Sequence, residues 1–337
     1  MVRPGPRNLI TDVDGVLVGN AEDMRVLSGA TVVLPEQPAV ASCDIRGGGP
    51  GTRETDLLDP AATVETVHAI ALSGGSAFGL ATADGVMAWL AARGRGFDVG
   101  GSVVPIVPGA ILFDLNNSGD KNWGELPPYR ALGFAACENA GRDFALGNAG
   151  AGLGARAGNL KGGLGSASSV DEAGLQVGAL IAVNSRGYVT MEGQKQFWAW
   201  PFEQGDEFGG LEPPAARVPL EVSVDRGGAA SGTVRGHTTI GVVATNARLS
   251  KAEARRVAIM AQDGLARAIR PIHTSFDGDA IFVLATGGRE LSGVRPLALS
   301  RLGSLAADCV ARASARGVYE ARSAGGMVAW RDHFAAR

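Results

Sequence analysis

The chain has 337 residues, 45% of them hydrophobic, and a formal net charge of −3. That is enough apolar chain for a large core, while weak negative charge and 6% aromatic residues provide neither the basic stripe nor the stacking surfaces that nucleic-acid binding uses. No apolar run reaches the roughly 20 residues of a membrane span, and the start MVRPGPRNLITDVDG lacks a signal-peptide core. The expectation is a cytoplasmic globular protein without nucleic-acid or membrane partners.

In chain order, TVVLPE and AVASCDI predict strands, the latter running into the glycine loop RGGGPG. Residues 64–96 predict a helical region broken at Gly74 and Gly75. A polar, turn-rich stretch over 116–130 precedes a helix in ALGFAACENAG. The glycine-dense segment 147–168 predicts a loop, followed by a strand in LQVGALIAVNSRG. From Glu203 to about Val218 the composition is that of a surface loop or linker.

Beyond it, TTIGVVATN predicts a strand, and Ser250 with Glu253 predicts a capping box opening a helix over 250–268. The acidic turn FDGD then leads into the strand AIFVLATG. Paired strands and long helices without a repeat period predict a layered α/β protein of one domain, with the linker as an internal loop.

Several motifs offer chemistry, each beside a plainer reading. DVDG at 12–15 matches the DxDG signature of haloacid-dehalogenase-like phosphatases, a fold that needs the motif at the end of a hydrophobic strand with a downstream Lys and a metal-binding acidic pair, whereas NLITDVDG offers a short strand at best and the glycine-dense remainder does not suit it. The 147–165 glycines contain no GxxxxGK[ST] phosphate loop. His68 and His273 stand apart from other ligand types and predict structural hydrogen bonds, and Cys43, Cys137 and Cys309 show no CxxC spacing and predict core positions. No metal or cofactor is expected.

Asp277 and Asp279 would face the same way on an extended chain. They predict either a turn before a strand or a pair of interacting carboxylates. Thr238 is either a β-branched strand residue or a nucleophile. A threonine hydroxyl needs a base, and breaking the His237–Thr238 bond would create one, an α-amine of pKa roughly 8.

Six segments then carry a resemblance: ITDVDGVLVGN, LSGGSAFGLATADGV, GNAGAGLGARAG, LIAVNSRG, HTTIGVVATN and HTSFDGDAIFVLATG, in that order over most of the chain. In them the chain resembles the self-processing N-terminal-nucleophile hydrolases that include L-aminopeptidase/D-esterase, β-peptidyl aminopeptidases and 6-aminohexanoate-oligomer (nylon-oligomer) endo-hydrolases. The resemblance implies a four-layer αββα sandwich, cleaved into an α chain, 1–237, and a β chain, 238–337, and assembled into homo-oligomers. It implies Thr238 as nucleophile with its own amine as base, Asn184 as donor to the oxyanion, and Asp277 and Asp279 as the pair that orients the nucleophile and its amine.

The family lysine falls on Lys161, or the local alignment chooses Asn159. Phe113 stands where some relatives carry tyrosine, and His237 precedes the scissile bond where asparagine or glycine is more familiar. Threonine as nucleophile points toward the nylon-oligomer branch. Phe113, Trp198 and Trp200, with Phe197, are candidate walls for a substrate, and the aromatics at 197–200 are equally candidates for an oligomer contact. The expected activity is hydrolysis of amide oligomers or of peptides with a free amino end. An acyltransferase resembling ornithine acetyltransferase and a non-catalytic binding module are the alternatives.

Overall fold

A computed structural model describes residues 1–214 and 236–335. Nine strands build two sheets: β1 (Val16–Asp23), β2 (Ser28–Pro35), β3 (Ala39–Ile45), β4 (Ile70–Ser73), β5 (Gly109–Ile111), β6 (Gly163–Asp171), β7 (Gln176–Val183), β8 (Ile240–Ala247) and β9 (Ala280–Arg289). The larger sheet runs β6-β7-β8-β9-β3, edged by the short strands Val2–Arg3 and Thr66–Val67. The smaller runs β1-β2-β4-β5 and is closed by Thr52–Arg53. Four helices cover them: α1 (Thr82–Ala91), α2 (Tyr129–Glu138), α3 (Lys251–Ala268) and α4 (Arg295–Tyr319).

Three apolar layers hold this stack together. Val32, Leu34 and Ala71 of the smaller sheet pack with Val86, Leu90 and Leu132 of α1 and α2. Between the sheets lie Val16, Val18, Val33, Ile70 and Leu72, facing Leu180, Ile240, Val242 and Phe282. On the far side, Ile181, Val243, Ile281 and Val283 meet Val257, Leu265, Leu302 and Val310 of α3 and α4. The order is therefore α-β-β-α. Strand β8 shows why: Val242 and Ala244 face one core, Val243 and Ala247 the other, as the two-residue period of a strand sandwiched on both sides demands. Each such Val, Ile or Leu contributes roughly 1.5–3 kcal/mol on burial.

The capping box at the start of α3 is present. Ser250 Oγ accepts the Glu253 N–H at 3.3 Å, and the Glu253 carboxylate accepts the Ser250 N–H at 2.9 Å. Such a cap contributes about 1 kcal/mol.

Four expectations need correction. Residues 64–73 are strand rather than helix at their C-terminal end, because Ile70 and Leu72 face the inter-sheet core while Ala69 and Ala71 face α1 and α2. Residues 163–171 are a strand, not the end of a loop. Its glycines bring it against α4: a Cβ at Gly163 would lie 2.2 Å from the Gly317 carbonyl oxygen, and at Gly165 2.0 Å from that of Ala313. Strand β8 starts at Ile240, two residues late, since the Thr239 N–H goes to the Asp279 carboxylate instead of a ladder carbonyl. Cys137 and Cys309 are buried, but Cys43 is only partly so. The expected linker is described only as far as residue 214, so its last residues lie outside the described part.

The DVDG motif has a structural task. The Asp12 carboxylate accepts the N–H groups of Arg7 and Leu9 and the Ser168 hydroxyl at 3.1, 3.2 and 2.7 Å, which pins the N-terminal turn to β6. His68 is likewise structural, its Nδ1 accepting the Ile106 N–H at 3.1 Å.

Candidate active site

Strand directions gather the candidate residues at one end of the larger sheet. β8 and β9 are parallel, so their N-terminal ends lie side by side, with Ile240 opposite Ala280. β7 is antiparallel to β8, with Ala182 opposite Ile240, so its C-terminal end arrives at the same place. Thr238 precedes β8, Asp277 and Asp279 precede β9, and Asn184 follows β7. Residues far apart in the chain meet because three adjacent strands begin or end there.

Thr238 is 3% exposed. Its N–H donates to the Asn184 carbonyl at 2.7 Å, and its hydroxyl donates to the carbonyl oxygen of His237 at 2.6 Å. The same His237 oxygen accepts the Gly278 N–H at 2.9 Å. The hydroxyl therefore sits against the peptide bond just before it.

The Asn184 amide is oriented by two partners. Its Oδ1 accepts the Arg156 N–H at 2.9 Å, so Nδ2 is the end that donates to the Phe113 carbonyl at 3.0 Å. Asn184, Phe113, Arg156 and His237 line a cavity of about 140 Å³, with Asn116 and Met327 among its other walls. The Phe113 ring packs against Gly236, where a Cβ would come within 3.2 Å of it.

Both carboxylates are fully buried. Asp279 Oδ1 accepts the Thr239 N–H at 2.8 Å, and Oδ2 accepts the His273 N–H at 3.2 Å and faces His273 Nδ1 at 2.9 Å. Asp277 Oδ2 takes the Thr274 N–H and hydroxyl at 2.8 and 2.6 Å. Burial, and then the neighbouring charge of Asp279, raise the Asp277 pKa above its ordinary value. In the intact chain neither carboxylate bonds Thr238 itself, because its nitrogen is still a peptide N–H already taken by Asn184. Asp279 holds the next residue, Thr239, and Asp277 holds its own turn through Thr274.

Lys161 is linked to this site through Arg156. It pairs with Arg156 across a two-stranded ribbon, and its Nζ donates to the carbonyls of Gly152 and Gly162 at 3.0 and 2.8 Å. Burial lowers its pKa to about 7, against an opposing pull from Asp114. Asn159 adjoins the turn of the same ribbon.

The proposed aromatic walls divide. Phe113 lines the cavity, whereas Trp198 and Trp200 are not among its lining residues. Trp198 stacks under the Arg270 guanidinium, 5.4 Å away, and Phe197 is buried against Phe208 and Trp330. Two groups that the fold brings in, the Gly278 N–H and the Arg156 N–H, carry no sequence signal, being main-chain donors, whereas His273 makes the structural hydrogen bond expected of it, to Asp279.

The αββα sandwich, with Thr238, Asn184, Asp277 and Asp279 gathered at one end of its larger sheet, is an Ntn-hydrolase-like fold. Peptidase family S58 matches residues 8–330, and the chain belongs to that family, a family of peptide and amide hydrolases. It is 46% identical to an uncharacterised aminopeptidase of Mycobacterium tuberculosis, over 97% of this chain and 98% of that one. It is 28% identical to a 6-aminohexanoate-oligomer endohydrolase of a Kocuria species, over 84% of this chain and 76% of that one. The fold is shared with the L-aminopeptidase D-Ala-esterase/amidase of Ochrobactrum anthropi, an Ntn-hydrolase-fold protein, with a TM-score of 0.72 and 21% identity over 98% of this chain and 93% of that one.

Proposed function

We propose that the chain cuts itself between His237 and Thr238 and that Thr238, as a new N-terminus, then hydrolyses amides. The contact between the Thr238 hydroxyl and the His237 carbonyl oxygen, 2.6 Å in a buried setting, carries this reading. Attack by that hydroxyl moves the acyl group from nitrogen to oxygen, and water releases the ester. The freed α-amine, with a pKa of roughly 8 in ordinary surroundings, is then a base within reach of its own hydroxyl.

In the mature enzyme Thr238 attacks the substrate carbonyl, and Asn184 Nδ2, on the cavity wall, donates to the oxyanion. Asp279 and Asp277 hold the new terminus through Thr239 and the 273–279 turn. Lys161 supports the cavity floor and the Arg156 strand. The 46% relative, named as an aminopeptidase, favours peptides with a free amino end over amide oligomers, for which the named relative is 28% identical.

On a denaturing gel the wild-type protein should give bands of about 24 and about 10 kDa, in proportion to 34.4 kDa for 337 residues. Thr238→Ala should remain one band. An active preparation that stays intact, with no N-terminus at Thr238, refutes the mechanism. Turnover of amino-acid p-nitroanilides, β-peptides and 6-aminohexanoate oligomers ranks the substrates.

A further inference from the structure

The loop RGGGPG, which no step above uses, lies against the turn that carries the two carboxylates. The Arg46 N–H donates to the Asp279 carbonyl at 2.9 Å, the Gly48 N–H to Thr274 at 3.3 Å, and the Gly49 N–H to Asp277 at 2.8 Å. The carbonyls flanking Gly278 are thus both held from outside the turn. What this fixes in place is the Gly278 N–H, 2.9 Å from the His237 carbonyl oxygen.

We infer that the Gly278 N–H is the oxyanion donor of self-cleavage, held in position by the Gly47–Gly49 loop, and that it is a different group from the Asn184 amide that serves the substrate. The inference rests on the self-cleavage proposed above. When Thr238 Oγ1 bonds to the His237 carbonyl carbon, the carbonyl oxygen becomes negative. The peptide bond between the His237 carbonyl carbon and the Thr238 nitrogen then breaks, the hydroxyl proton ends on that nitrogen, and water hydrolyses the resulting ester to the His237 carboxylate and the Thr238 hydroxyl. In the intact chain the Asn184 side chain is bonded to Phe113 and Arg156, whereas Gly278 already donates to the oxygen that will carry the charge. A donor positioned before reaction needs no reorganisation when charge develops.

Space at these glycines is graded. A Cβ at Gly278 would lie 2.7 Å from Thr238 Oγ1 and 2.6 Å from the Gly49 carbonyl oxygen. At Gly47 it would lie 2.3 Å from the Asp277 oxygen and 2.4 Å from the Asp279 nitrogen, whereas at Gly49 its nearest neighbour is 3.9 Å away.

The direct test replaces Gly278 by glycolic acid, which turns its N–H into an ester oxygen and adds no atom. Cleavage is followed by intact mass in freshly made chain. Self-cleavage should slow by roughly 10²–10³-fold, with the melting temperature close to wild type. Cleavage at the wild-type rate overturns the inference. Should that variant fail to fold, Gly47→Ala and Gly49→Ala decide: slow cleavage only in Gly47→Ala supports it, and equal rates overturn it. A wild-type chain that never cleaves defeats the self-cleavage reading itself, whereas a cleaving wild type with an equally fast ester variant defeats this inference alone.

Discussion

The main-chain N–H of Thr238 donates to the main-chain carbonyl of Asn184 at 2.7 Å, so the nitrogen that cleavage would free is already anchored before any bond breaks. The anchor is backbone to backbone and uses neither side chain. Thr238→Val, which keeps the shape and removes the hydroxyl, should therefore fold, lose about 0.5–1.5 kcal/mol of stability, and stay uncut. Thr238→Ser should still be cut. Intact mass after extended incubation distinguishes these outcomes, and a cleaved valine variant would remove the hydroxyl from the mechanism.

Asn184 is expected to act on the substrate oxyanion through Nδ2. Asn184→Ala should lower kcat by roughly 10²–10³-fold with a smaller effect on KM. Because it also leaves the Arg156 N–H without its acceptor, it should cost about 1–3 kcal/mol in a urea titration. A variant with normal kcat would show that another group holds the oxyanion.

Asp279 supports three donors at once, on Thr239 and His273. Asp279→Asn can still accept from Thr239, but its NH2 end then meets the His273 N–H. A loss of about 1–3 kcal/mol is expected. Asp279→Ala leaves all three donors unpaired and should fall further, as urea midpoints of the two variants would report.

Lys161 makes stability depend on pH. Its pKa is lowered from 10.5 to about 7 in the folded protein, chiefly by burial. Between those values the unfolded chain binds more protons, so this contribution to stability rises with pH above about 7, and the full penalty of the buried charge is carried below it. Relative to Lys161→Met, the wild type should therefore gain stability between about pH 6 and about pH 9. Paired urea midpoints across that range check the sign.

A buried ion pair joins the two prospective chains. Glu207 accepts from Arg312 Nε and Nη2 at 2.5 and 2.9 Å and from Asn8 Nδ2 at 2.6 Å, with both charged side chains no more than 5% exposed. Glu207→Gln leaves the arginine charge uncompensated and should cost about 3–5 kcal/mol. The measurement is a urea midpoint, compared between uncut Thr238→Ala and Thr238→Ala/Glu207→Gln so that cleavage does not enter.

Local pattern was a fair guide where one element answers to its own sequence. The apolar runs of β8 and β9 and the Ser250–Glu253 cap are written in adjacent residues, and each formed close to where expected. It misled where neighbours decide. The apolar run Ala69–Leu72 fits a helix as well as a strand, and its place between β2 and β5 makes Ile70–Ser73 a strand. Glycines at 163 and 165 suggested a loop, but they are the residues that let a strand touch the backbone of α4.

By itself the sequence determined the chemistry types: a threonine after His237, two carboxylates spaced by one glycine, an asparagine closing an apolar run. Those are local facts of covalent order, and together with the six resembling segments they identify the family and its sandwich. Only the tertiary structure decided which of these groups touch. The Thr238 hydroxyl reaches the His237 oxygen by chain adjacency, but the Gly278 N–H reaches it because β8 and β9 run parallel from a common end, and Asn184 arrives because β7 runs the other way. Strand direction and register are set by packing on both faces of a sheet, summed over the whole core, and no short stretch of sequence contains that sum.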